Sequence, residues 1–127
     1  MRVLYVEDNR INAVLMEETF RMHGGIDARV AESGEEALRS IEGWTPDLLV
    51  LDAHLPGMTG FEVLTLLRTQ GKLPDVPAVM CSADTSDEDH RRAAAAGFLA
   101  FWPKPIDVGA ILGDISRMFP NTRPSRP

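Results

Sequence analysis

Acidic side chains stand directly after two short apolar runs of this 127-residue chain. Asp52 follows the run at 48–51, and Glu7 and Asp8 follow the run at 3–6. Because ligand sites of open α/β folds form at the carboxyl ends of their strands, we expect the three carboxylates to converge. Clustered like charges need a cation or proton, and oxygen ligands without a nearby Cys or His pair suit Mg²⁺. Asp52 could also attack phosphorus and form an aspartyl phosphate.

Two later apolar runs end in groups that complement a phosphoryl group. Ser82 follows the run at 78–81, and Lys104 follows shortly after the run at 99–102. A hydroxyl can donate a hydrogen bond to one phosphoryl oxygen, and an ammonium can neutralise another. Any one of these residues alone is more often a turn residue, a helix cap or a surface side chain. Their occurrence together at four strand ends favours a site for a divalent metal and an anionic group.

The apolar runs themselves are interpreted as strands. Three are unbroken by polar residues, namely 3–6, 48–51 and 78–81. Such runs are typical of parallel strands covered on both faces. The runs at 28–31 and 99–102 are weaker, so we place them towards the sheet edges. Pro103 supports an edge position and an early end of strand pairing, because it has no N–H.

Helical segments alternate with these strands. Asn9 can cap a first helix that runs to His23, where Gly24 stops it. The apolar residues on one face of this helix are Ile11, Val14 and Leu15. Three later helices are predicted where a hydroxyl precedes a Glu by three residues, at Ser33, Thr59 and Thr85. A last amphipathic helix begins after Asp107. Five strand–helix units predict a doubly wound, five-stranded parallel sheet.

Composition excludes several classes of protein. The chain is 44% hydrophobic and 25% charged, as expected for one globular domain. Its net charge of -6, without a dense Lys/Arg stripe, argues against direct binding to nucleic acid. No apolar stretch predicts a membrane span or a signal peptide. Cys81 lies in an apolar run and predicts a buried thiol in a reducing cytoplasm. We expect one domain over 1–119 and a disordered tail or linker start over 120–127.

With these residues in this order, the sequence resembles the receiver domain of two-component response regulators. The matching segments, between about residues 2 and 119, are Glu7-Asp8, Asp52 with 55–60, Ser82-Ala83 and Lys104-Pro105. The resemblance implies a flavodoxin-like fold with strand order 2-1-3-4-5. It also implies that Asp52 accepts a phosphoryl group, with Mg²⁺, from a phosphohistidine on a sensor histidine kinase or phosphotransfer protein. A receiver domain is not an enzyme with a separate substrate, because it catalyses only its own phosphorylation and dephosphorylation.

The resemblance further implies a role for each residue around the metal. Asp8 would be a direct Mg²⁺ ligand, and Glu7 would act mostly through bound water. Asp52 would be both ligand and phosphoacceptor, and the backbone carbonyl of His54 would complete the protein ligands. Lys104 would pair with Asp52 or with the phosphate, and its bond to Pro105 is predicted to be cis.

The resemblance assigns the switch and its output in the same way. Ser82 would be the hydroxyl that moves onto the phosphoryl group, and Phe101 the aromatic residue that rotates with it. His54 and Asp84 occupy positions that would tune the lifetime of the phosphoryl group. The response would reach a downstream protein or a dimer partner through the fourth helix, fifth strand and fifth helix.

Three other classes of protein fit the sequence less well. A phosphatase that passes through an aspartyl phosphate would need a second acid two residues after Asp52, where His54 stands. A receiver-like interaction module without phosphate would not need the full set of acidic, hydroxyl and lysine residues. A flavin-binding module would want a Gly- and hydroxyl-rich loop after the first strand, whereas 7–10 is acidic. The receiver interpretation therefore accounts for more of the acidic, hydroxyl and lysine residues than any of these three classes.

Overall fold

Five parallel strands form one sheet in the computed structural model, which describes residues 1–83 and 86–120. In chain order the strands are β1 (Arg2–Val6), β2 (Asp27–Ala31), β3 (Leu48–Asp52), β4 (Ala78–Ser82) and β5 (Ala100–Pro103). They lie in the order β2-β1-β3-β4-β5, and every neighbouring pair is parallel. The predicted doubly wound fold, its strand order and the two weaker runs at the edges are confirmed. Pro103 is the last residue of β5, where it lies in register with Ser82.

A helix follows each strand of the sheet. The helices are α1 (Arg10–His23), α2 (Gly34–Ser40), α3 (Gly60–Thr69), α4 (Asp87–Ala95) and α5 (Val108–Met118). Between β3 and α3, His54–Leu55 and Met58–Thr59 form a short antiparallel hairpin. This hairpin was not predicted, because strands of two residues are too short to show the apolar pattern of a strand.

The helix starts follow local side-chain chemistry. Five cap side chains accept a hydrogen bond from the backbone amide three residues further along the chain: Asn9, Ser33, Thr59, Ser86 and Asp107. Thr59 and Glu62 exchange both hydrogen bonds of a complete capping box. The cap of α4 is Ser86, one residue after the predicted Thr85, which lies outside the described residues. These caps fix where each helix leaves the sheet edge that carries the acidic residues.

Both faces of the sheet are covered, which explains why its central strands are continuously apolar. Alternate residues of β1 point to opposite faces, so Leu4 packs in one cluster with α2, α3 and α4, while Tyr5 packs in the other with α1 and α5. The central strands β3 and β4 are buried at every position. Cys81 is one of these buried residues, as predicted. The core therefore holds the ends of β1, β3 and β4 side by side.

The apolar stripe noted on α1 faces outward rather than into the core. Ile11, Val14 and Leu15 are 72%, 48% and 51% exposed. The core face of α1 is a second stripe, which includes Met16 and Phe20. Sequence periodicity identified an apolar face but could not show that this helix has two. Within residues 1–83 and 86–120, no helix has the length and apolar character to span a bilayer. Residues 121–127 of the predicted tail at 120–127 lie outside the part of the chain described.

His23, at the end of α1, makes folding sensitive to acid. The side chain is fully buried, neither ring nitrogen has a hydrogen-bond partner among the described residues, and burial lowers its pKa. A depressed folded-state pKa gives stability that is present above about pH 6.5 and lost as pH falls. Between pH 7 and pH 5, the wild type should therefore lose about 1 kcal/mol more unfolding free energy than a His23→Leu variant.

Urea denaturation at the two pH values measures this difference. His54→Gln is the matched control, because His54 is exposed. The explanation is wrong if His23→Leu keeps the full pH dependence of the wild type.

Candidate functional site

Asp52 occupies the carboxyl end of the central strand β3. Its neighbours in the sheet are β1 and β4, so the residues that follow those strands lie beside it. Asp52 is only 6% exposed, and its Oδ1 accepts a hydrogen bond from the amide of His54 at 3.2 Å. Glu7 follows β1 and is buried as well. The sheet thus places two carboxylates together away from solvent.

These carboxylates and Asp8 form a donor set that fits a hard divalent cation. Each of Glu7, Asp8 and Asp52 offers one carboxylate oxygen, and the three oxygens lie within 4.8 Å of one another. Glu7 and Asp52 are buried, whereas Asp8 is exposed. Mg²⁺ takes few carboxylates and keeps several waters, so a pocket with one open side suits it. The predicted ligand role of the His54 carbonyl stays a prediction.

Lys104 lies between the two buried carboxylates. Its Nζ is 2.5 Å from Glu7 Oε1 and 3.1 Å from Asp52 Oδ2. The backbone amide of Lys104 donates to the carbonyl of Ser82 at 2.9 Å, which joins the loop after β5 to the end of β4. The Lys104–Pro105 bond is cis, as predicted. One cation therefore contacts two buried carboxylates at the sheet edge, and one negative charge remains in excess when both are ionised.

The charges of this cluster depend on one another. Burial, and then the hydrogen bond with Glu7, raises the pKa of Asp52 to about 6. For Glu7, burial opposes ionisation, but hydrogen bonds from Asp52, Lys104 and Tyr5 outweigh it and lower the pKa. For Lys104, burial acts against the charge, yet both carboxylates outweigh it and raise the pKa. Glu7 and Asp52 therefore titrate as one interacting pair rather than as two independent carboxyl groups.

Tyr5 belongs to this cluster, although its sequence position indicated only a core residue. The side chain is fully buried in β1, and its hydroxyl donates to Glu7 Oε1 at 2.9 Å. The amide of Asn9 donates to the other oxygen, Glu7 Oε2, at 3.3 Å. The sequence spacing could have indicated this contact, because residues two positions apart on a strand point to the same face.

Gly60 closes the site from the side of α3. Its amide donates to the carbonyl of Ala53 at 3.0 Å. A Cβ at this position would lie 2.3 Å from the backbone oxygen of Asp52 and 3.0 Å from its carbonyl carbon. Real Cβ atoms do not approach backbone that closely. Glycine is therefore required here for contact between the start of α3 and the end of β3.

The predicted switch residues lie on the neighbouring strands β4 and β5. Ser82 is buried at the end of β4, and Phe101 is half-buried in β5. Ser82, Phe101 and His54 line one cavity. The ring of Phe101 stacks on His90 of α4, with centroids 4.1 Å apart, a contact that the sequence did not indicate. Asp84 lies outside the described residues.

Comparison with known proteins gives consistent matches across the chain. The family model for the response regulator receiver domain matches residues 3–116. The polar-differentiation response regulator DivK of Brucella ovis is 33% identical, over 84% of this chain and 85% of that protein. A protein-glutamate methylesterase/protein-glutamine glutaminase of Rhodospirillum rubrum is 34% identical over 92% of this chain. The chain spans only 31% of that larger protein.

A solved structure extends the comparison to the site. The receiver domain of a sensor histidine kinase from Pseudomonas aeruginosa PAO1 superposes with a TM-score of 0.79 and 26% identity. The match covers 91% of this chain and 94% of that one. In that protein, a magnesium ion is coordinated in the active-site cleft.

Proposed function

Because this chain belongs to the receiver domains of response regulators, we propose that Asp52 is the residue that accepts the phosphoryl group. The observation that carries the proposal is the sharing of Lys104 Nζ between Asp52 and Glu7 at the carboxyl edge of the sheet. A structural ion pair would need one carboxylate. Two buried carboxylates with one cation, and a third carboxylate in reach, instead provide a nucleophile and a place for a metal.

The reaction uses few groups of this chain. A carboxylate oxygen of Asp52 forms a bond to phosphorus while the bond from phosphorus to the histidine nitrogen of the donor breaks. Lys104 is placed to neutralise a phosphoryl oxygen, because its Nζ already contacts Asp52 Oδ2. The Ser82 hydroxyl can donate to another oxygen once it moves onto the phosphoryl group. The catalysis extends to the chain's own phosphorylation and dephosphorylation.

The acidic cluster would hold Mg²⁺ during this reaction. Asp8 and Asp52 would bind it directly, Glu7 mostly through water, and the His54 carbonyl would complete the set. Bound Mg²⁺ would neutralise charge on the transferring phosphoryl group. The fit of three carboxylate oxygens within 4.8 Å supports this assignment.

We extend the proposal to the partners of the protein and to its cellular compartment. The donor would be a sensor histidine kinase or a phosphotransfer protein in the cytoplasm. Phosphorylation would change the environment of Phe101, whose stacking on His90 links β5 to α4. The surface formed by α4, β5 and α5 would then bind a downstream protein or a second copy, without direct nucleic-acid contact. Residues 1–119 would form the receiver domain.

Incubation with a small-molecule phosphodonor and Mg²⁺, followed by intact mass measurement, tests the central assignment. We expect the wild type to gain one phosphoryl group and Asp52→Asn to gain none, because an amide is not a nucleophile of comparable strength. Asp75→Asn is the matched control, since Asp75 is an exposed loop aspartate. An adduct on the Asp52→Asn variant, or none on the wild type, would contradict the assignment.

The same assay, followed over time, addresses the lifetime of the adduct. His54 lines the cavity beside Ser82 and Phe101, so its side chain can influence how water reaches the phosphoryl group. We propose this role for His54, and for Asp84 from its sequence position alone. Single substitutions that leave the rate of aspartyl-phosphate decay unchanged would exclude it.

A further inference from the structure

We propose that Tyr5 is a positioning residue that fixes the Glu7 carboxylate for metal binding at the Asp52 site. This inference rests on the proposed function, because it assigns to Tyr5 a part in the metal site. Tyr5 would act only through Glu7.

The contacts of Glu7 show how its carboxylate is fixed. Oε1 receives two donors, the Tyr5 hydroxyl at 2.9 Å and Lys104 Nζ at 2.5 Å. Oε2 receives one, the amide of Asn9 at 3.3 Å. Tyr5 and Glu7 both belong to the continuously buried segment at 3–7. No solvent competes for the hydroxyl, so it remains directed at Glu7.

A glutamate needs this contact more than an aspartate would. Its side chain has one more methylene and one more rotatable bond, so its carboxylate can take more positions. The Tyr5 hydroxyl holds one oxygen in a fixed place without adding a charge. Lys104 can therefore bridge Glu7 and Asp52, while Oε2 keeps only one neutral donor. Loss of the hydroxyl would also leave a buried carboxylate with an incomplete set of donors.

The Tyr5→Phe variant tests this role because it removes one oxygen and retains the ring in the core. We expect the dissociation constant for Mg²⁺, followed by NMR of the Asn9 and His54 amides, to rise roughly tenfold. The phosphorylation rate should fall at low Mg²⁺ and return to the wild-type rate at saturating Mg²⁺. A purely structural role for Tyr5 would not be corrected by added metal.

The Glu7→Asp background separates a contact with Glu7 from a general effect on the core. The shorter side chain withdraws the carboxylate from Tyr5, so Tyr5→Phe should no longer change Mg²⁺ affinity in that background. An equal loss of affinity in both backgrounds, or no loss in the wild-type background, overturns the proposal. The metal titration needs no phosphodonor. The titration therefore decides the role of Tyr5 even if the wild type accepts no phosphoryl group, a result that would contradict only the proposed phosphoacceptor.

Discussion

Replacement of Lys104 by methionine should lower the free energy of unfolding by about 3 kcal/mol at pH 7. Methionine keeps the length of the side chain but removes the cation that Glu7 and Asp52 share. The side chains of both carboxylates are at most 9% exposed, so water can replace little of the lost interaction. The expected loss of stability lies at the lower end of the range for a broken buried ion pair. The reason is that Asp52 can take up a proton and lose its unpaired charge.

Urea denaturation with and without Mg²⁺ measures the effect and its cause. Without Lys104 the pKa of Asp52 should rise above its present value of about 6, which favours the protonated folded state. A raised folded-state pKa gives stability that is present at low pH and lost as pH rises. The deficit of Lys104→Met should therefore shrink at pH 5, and also with Mg²⁺. Lys72→Met, at an exposed position, is the matched control. A urea midpoint of Lys104→Met equal to that of the wild type at pH 7 would contradict the prediction.

Gly60→Ala should destabilise the fold by about 3 kcal/mol and slow phosphorylation of Asp52. Helix propensity alone would favour alanine at the start of α3 by about 1 kcal/mol, so the predicted sign is opposite to the local preference. The reason is contact with backbone, because the added Cβ would lie 2.3 Å from the carbonyl oxygen of Asp52. To relieve this contact, either α3 or the end of β3 must shift.

Gly109→Ala is the control for this experiment. Gly109 lies in α5, where an added Cβ would meet its nearest atom, Asp107 Oδ1, at 3.6 Å. That distance is ordinary van der Waals contact, so we expect a neutral change or a gain of up to about 1 kcal/mol. Thermal or urea unfolding measures both variants, and the intact-mass assay follows phosphorylation. Similar stability in the two variants would contradict the prediction, because it would show that the site tolerates a Cβ at position 60.

Much of the fold could be predicted because its signals are local. The buried runs of β1, β3 and β4 are continuous in the sequence, and the caps at Ser33 and Thr59 depend on residues only three positions away. Features that depend on tertiary contacts could not be predicted in this way. The outward stripe of α1 contains large apolar residues such as Ile11, and only the packed structure shows that Met16 faces the core instead.

Some contacts of the site could likewise be predicted from the sequence, and others could not. Glu7, Asp52 and Lys104 could be placed together because strand ends of a parallel sheet meet at one edge. The stacking of Phe101 on His90 could not be foreseen, since it depends on the side-chain rotamers and on how α4 lies against β5. Tyr5 lies within the apolar run at 3–6, and that pattern says nothing about where its hydroxyl points.

The hydrogen bond from the Lys104 amide to the Ser82 carbonyl has an evolutionary consequence. This bond uses only backbone atoms, so it does not depend on which side chain stands at position 104. The junction between β4 and the loop after β5 can therefore persist while the ionic partner of Asp52 is exchanged. A single codon change at this position would alter the charge of the site and lower the stability of the fold, but it would leave this backbone connection in place.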